Sequence, residues 1–216
     1  MRFDDLEIWD LNGEEEQIIE FPSGKPKVKE KDNIEKEEEE VDWKKEIKSF
    51  AFTLLITLAV VLVLKNYVII NANVPTGSME NNIMPGDNVF GFRLAYLTKG
   101  PERGDIIFFP FPDDETQKYV KRVIGLPGET VRIIDGKIYI DDATEPLDEP
   151  YLKEEWTHGT GPYVFEIPED GYLCLGDNRN RSADAREWNN PYVTRDKIIG
   201  KAIFIYFPFD HWGFVE

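Results

Sequence analysis

Between Ser49 and Leu64 the chain runs for sixteen residues, SFAFTLLITLAVVLVL, without a single charge. Helices of water-soluble domains usually present one apolar stripe, whereas this segment is apolar on every face. Sixteen helical residues rise about 24 Å, short of the roughly 30 Å hydrocarbon core of a bilayer. Tyr67, Val68, Ile69 and Ile70 extend the apolar stretch past Lys65, whose long stem lets its ammonium reach the interface. The pattern predicts one transmembrane helix over residues 46–70. Lys44, Lys45 and Lys48 precede it and only Lys65 follows closely, so the positive-inside bias predicts a single-pass protein of the cell membrane, N-terminus cytoplasmic.

The two flanks differ in character. Residues 1–48 hold 17 acidic and 9 basic side chains and few apolar ones, which predicts an acidic, disordered cytoplasmic tail over residues 1–45. The whole chain has 42 acidic and 25 basic residues, a net charge of −17. That balance excludes nucleic acid as an expected partner, because nothing would neutralise a phosphate backbone. One cysteine, Cys174, rules out an internal disulfide, and with only two histidines a Cys/His zinc site is not expected. No metal and no cofactor is expected, so chemistry falls to Ser, Thr, Lys, Asp or Glu.

Residues 71–216 read as a mostly β extracytoplasmic domain. Val131–Asp141 contains two β-branched runs around Asp135-Gly136, a hairpin signal. Further strands are expected at Val68–Val74, Asp87–Phe92, Asp105–Phe109, Tyr119–Ile124, Gly171–Leu175 and Ile198–Phe207, with a short helical turn at Ser182–Trp188. Phe108, Phe109 and Phe111, with Phe204–Phe209, Trp212 and Phe214, are expected to contribute to an aromatic patch at the membrane interface.

Three stretches carry candidate chemistry. In Val74-Pro75-Thr76-Gly77-Ser78-Met79, Pro75 and Gly77 favour a tight turn on which one hydroxyl and one backbone N–H can converge on an oxyanion. In Tyr119–Glu129, strand alternation sends Lys121 and Arg122 to opposite faces, and one of the two cations must face the packed side. A buried lysine loses its charge more easily and then serves as a general base; arginine does not deprotonate. The third stretch, Gly176–Trp188, holds two aspartates and three arginines, the composition of an ion-pair network.

With this order and spacing, PTGSM (75–79), PGD (85–87), RGDIIFF (103–109), YVKRVIGLPGE (119–129) and GDNRNRSADAREW (176–188) together resemble bacterial type I signal peptidases. The resemblance implies a catalytic domain of antiparallel β-sheets with a smaller β excursion at residues 130–172. It implies a serine endopeptidase that removes signal peptides from exported preproteins after Ala-X-Ala sites, with signal peptides and membrane lipid as partners. Ser78 would be the nucleophile and Lys121 the general base. Thr76 and the Ser78 N–H would form the oxyanion hole, and Ser182 would orient Lys121. Arg122, Asp177, Asp184 and Arg186 would form bracing ion pairs, and Val74, Met79, Ile83 and Val120 the substrate pocket. Many members carry Pro-Thr where this chain has Asn81-Asn82. A relative restricted to one client, or one that binds signal peptides without cutting them, is the alternative.

Overall fold

The computed structural model describes residues 42–216. The expected acidic tail therefore lies, up to residue 41, outside the described residues. The chain opens on a helix, α1 (Trp43–Val63), that continues as a π-helical turn over Leu64–Val68; no residue in either is buried. Together they form a helix of 26 residues, long and apolar enough by length and composition to cross a membrane. At 1.5 Å per residue it reaches about 39 Å.

From that turn the chain passes directly into β1 (Ile69–Asn73), followed by β2 (Asn88–Phe92), β3 (Ile106–Phe111) and β4 (Asp114–Gly125). Next come β5 (Thr130–Ile134), β6 (Lys137–Ile140), β7 (Tyr163–Glu166) and β8 (Gly171–Leu175). The last are β9 (Tyr192–Thr194), β10 (Gly200–Phe207) and β11 (Gly213–Phe214). The large sheet has the order β1-β2-β10-β3-β4-β8-β9, with β11 paired to β10; a second sheet has the order β6-β5-β7. Every ladder is antiparallel. The mostly β architecture read from the sequence is the one observed.

Local chemistry explains the hairpins. Between β5 and β6, Asp135 and Gly136 both take positive φ, 49° and 73°, the turn whose twist matches the strands it joins. Pro112-Asp113 turns β3 back into β4, which then pairs from Phe111↔Asp114 to Ile106↔Arg122. The first half of β4 is largely exposed, but Val120–Gly125 are all buried. Both faces of that half are therefore covered, and Lys121 and Arg122 are both interior despite pointing opposite ways. The expected helical turn at Ser182–Trp188 is not helical. A 3-10 turn precedes it at Arg179–Arg181, and only the Asp184–Glu187 reversal bends the chain after it.

Two cores flank β4. Ile70, Val89, Phe108 and Ile205 pack with Val120 on one side, and Ile124, Leu173 and Leu175 join the small sheet through Val131, Ile133 and Phe165 on the other. The aromatic expectation divides. Phe108 and Phe109 are core residues, and Phe111 is half-buried, stacked 4.7 Å from Tyr119. Phe207, Phe209, Trp212 and Phe214 are exposed, and the last three are 75%, 64% and 76% accessible. They meet one another and Phe204 edge to face, forming one continuous apolar surface. Replacing Trp212 and Phe214 by Ser should weaken binding of a form lacking residues 1–68 to liposomes. Cosedimentation measures it, and unchanged binding would remove the membrane role of this surface.

Candidate active site

Ser78 sits on a loop between β1 and β2 that is closed at its base. Val74 N–H donates to Asp87 O at 2.9 Å, and Gly86 N–H donates to Val74 O at 2.7 Å. Thr76 is extended and exposed, and the chain then makes one 3-10 turn, Gly77–Met79. Met79 and Ile83 are fully buried in the first core and pin this loop from below. Neither lines the cleft, so their expected place in the substrate pocket is corrected: they hold the floor rather than form it. Val74 and Val120 do line it, with Pro75, Thr76, Ser78, Phe108 and Lys121, around a cavity of about 590 Å³.

Lys121 Nζ lies 2.7 Å from Ser78 Oγ, and both residues are buried. Burial pushes the amine down from 10.5 to about 8, while the charges of Asp184 and Asp177 push it back up. Cys174, fully buried near this amine, has its own thiol pushed up by burial and stays neutral. Neither His158 nor His211 lines the cleft. His158 is exposed, and His211 Nδ1 lies 3.0 Å from Asp87 Oδ1.

Each carboxylate near the amine is already engaged. Arg122 donates from Nε and Nη2 to the two oxygens of Asp177 at 2.8 and 2.7 Å, and its Nη1 donates to Gly104 O. Arg186 donates to both oxygens of Asp184 at 2.8 and 2.9 Å, and Gly176 N–H donates to the same carboxylate. These bidentate pairs brace the site. They also neutralise two charges that would otherwise hold Lys121 as ammonium.

Ser182 departs from expectation. Its hydroxyl is buried and has no hydrogen-bond partner, so the bond to Lys121 that the resemblance implies is not made. It packs instead behind the serine loop. A Cβ on Gly176 would lie 2.2 Å from Ser182 Oγ and 2.5 Å from Ser78 O, so only glycine fits there.

Sequence reasoning missed Asn178, Arg179 and Glu149. Asn178 N–H donates to Ser78 O at 3.1 Å, and its Nδ2 donates to Gly77 O at 3.0 Å, tying the serine turn to the last block. Arg179 donates to both oxygens of Glu149 at 3.1 and 2.6 Å. Asn178 and Arg179 were visible inside the GDNR run, but nothing in the sequence marks Glu149. Asn81 and Asn82 also acquire a reason. Asn81 has φ 95°, which proline with its fixed φ near −65° does not reach, and Asn82 donates to Asp177 at 2.7 Å.

A serine hydroxyl against a buried amine at the floor of an open cleft is an arrangement in which a neutral amine can activate the hydroxyl. The family model "Signal peptidase, peptidase S26" matches residues 47–207. A "Probable signal peptidase I-2" of Synechocystis sp. is 32% identical, covering 74% of this chain and 73% of that protein. A "Signal peptidase I" of Rickettsia typhi is 34% identical, covering 76% of this chain and 80% of that protein. A crystal structure of a signal peptidase I from Enterococcus faecalis V583 has 36% identity and a TM-score of 0.41, over 48% of this chain and 97% of that one. The chain belongs to the signal peptidase family, peptidase S26, and is a serine peptidase.

Asp177→Asn should leave Arg122 buried without its counter-charge, costing about 3–5 kcal/mol. Chemical denaturation followed by tryptophan fluorescence measures the loss.

Proposed function

We propose that the protein is a membrane-anchored signal peptidase in which Ser78 and Lys121 form the catalytic dyad. The observation that carries this reading is the buried 2.7 Å contact between Ser78 Oγ and Lys121 Nζ. In the neutral amine the Nζ lone pair accepts the Ser78 proton as Oγ attacks the scissile carbonyl. The Ser78 N–H and the Thr76 hydroxyl stabilise the oxyanion. The Lys121 ammonium then gives its proton to the departing amine, leaving an acyl-enzyme. Water, deprotonated by Lys121 in turn, releases the acyl group and regenerates Ser78.

The cleft supports the choice of substrate. β1 pairs with β2 on one side only, so its other edge is open to an extended peptide that adds as a strand. Val74 and Val120 give shallow apolar walls near Ser78, which suit small side chains such as the alanines of an Ala-X-Ala site. Residues 1–45 are the cytoplasmic tail, residues 46–70, most of them within the helix Trp43–Val68, are the anchor, and residues 71–216 form the protease domain. With β1 starting where the helix ends, Ser78 works close to the bilayer, where signal peptides emerge.

The test is cleavage of a preprotein carrying an Ala-X-Ala site, in detergent, by wild type, Ser78→Ala and Lys121→Ala. Wild type should cut after the final Ala, and each variant should lose at least about a thousandfold in kcat/KM. Because the base acts only after losing its proton, the wild-type rate should climb with pH and level off above about pH 8. Activity that survives Lys121→Ala would contradict the dyad. Binding without cleavage by all three proteins would favour a signal-peptide-binding relative.

A further inference from the structure

The chain has 42 acidic residues against 25 basic, yet no Asp or Glu lines the cleft that holds Ser78. Besides the Lys121 amine, three cations do: Arg93, Lys118 and Arg181. Among the described residues none of these three side chains has a hydrogen-bond or ion-pair partner. Structural pairing, the role of Arg122, Arg179 and Arg186, does not account for them.

Arg181 is presented by a turn that is itself firmly held. Arg179 is bound to Glu149 and to Gly176 O, the latter at 3.0 Å. Asn180 Oδ1 accepts from Thr157 N–H at 2.8 Å and His158 N–H at 3.0 Å, and its Nδ2 donates to Glu155 O at 2.8 Å. The backbone is held on the N-terminal side of a guanidinium that lines the cleft. Lys118 lies three residues before Lys121 on β4, about 10 Å along a strand at 3.3 Å per residue, and alternation puts it on the face of Val120, which also lines the cleft. That separation equals two or three residues of an extended peptide bound at Ser78. Cations grouped in a cleft with apolar walls focus their field into it.

We propose that this cleft selects substrates carrying a carboxylate two or three residues from the scissile bond, with Lys118 and Arg181 as the specificity residues that read it. The proposal rests on the peptidase reading above and adds a charge rule to its preference for small side chains. Arg93 extends the positive field toward the membrane end, where Phe92 pairs with Ile69 at the exit of the helix. Anionic lipid is the competing occupant for such cations. The placement of Lys118 and Arg181 on the walls that also hold Ser78 and Lys121 favours the peptide.

The experiment uses the full-length chain in uncharged detergent and peptides with one Ala-X-Ala site. These carry Asp, Asn or Lys at the second residue before the cut or the second after it. At one or both positions kcat/KM should fall in the order Asp, Asn, Lys, with Asp over Lys by about tenfold at low salt. The ratio should shrink toward one at about 0.5 M salt, as screening dictates. Lys118→Glu with Arg181→Glu should reverse the order, so that the Lys peptide is cut faster than the Asp peptide. Equal rates on all three peptides, or an unchanged order in the double variant, would overturn the proposal while leaving the peptidase reading intact. So would a double variant whose only defect appears on adding anionic lipid, which would assign the cations to the membrane surface. Failure of wild type on the Asn peptide would instead strike the peptidase reading, and the charge rule with it.

Discussion

An amine buried against a hydroxyl places demands on everything around it. Lys121 must be removed from water deeply enough to lose its proton near pH 8, yet no unbalanced negative charge can stand beside it. The fold meets the first demand by covering both faces of the C-terminal half of β4, where Val120–Gly125 are all interior. It meets the second by giving Asp177 and Asp184 each a bidentate arginine. Arg122 sits next to Lys121 in sequence and points to the opposite face. One strand thus delivers the amine to the cleft and its electrostatic counterweight to the interior behind it.

The serine loop is held to that strand by contacts that spread through the last sequence block. Gly176 lets the chain after β8 pass against Ser78 O and Ser182, an approach any side chain would block. Asn178 then fastens Gly77 and Ser78 from the backbone, while Met79 and Ile83 anchor the loop in the core beneath. Asn82 links the same loop to Asp177 and so to Arg122. The loop bearing the hydroxyl and the strand bearing the amine share a set of partners, which fixes their separation.

Much of this was legible before the structure, and the rest was hidden for identifiable reasons. The uncharged run, the Asp135-Gly136 hairpin and the order of the motif blocks depend on local pattern, and each appears where local pattern puts it. Alternation on β4 showed that Lys121 and Arg122 diverge but not that both are buried, since that depends on which sheets pack on either side. Met79 and Ile83 are apolar beside Ser78, and composition does not distinguish a pocket wall from the core below it. Glu149 lies far from the motif blocks and pairs with Arg179 across 30 positions, a contact that no spacing rule reveals. Ser182 lies in its expected neighbourhood, but the direction of one hydroxyl is a matter of packing behind Gly176.

The account stands on Lys121 being neutral at working pH. Nuclear magnetic resonance of selectively labelled lysine side chains, titrated in the full-length protein in detergent micelles, measures that directly. One lysine signal should titrate near pH 8 and vanish in Lys121→Met. If that signal instead titrates near the ordinary lysine value of 10.5, Lys121 is an ordinary ammonium and the base of this site lies elsewhere.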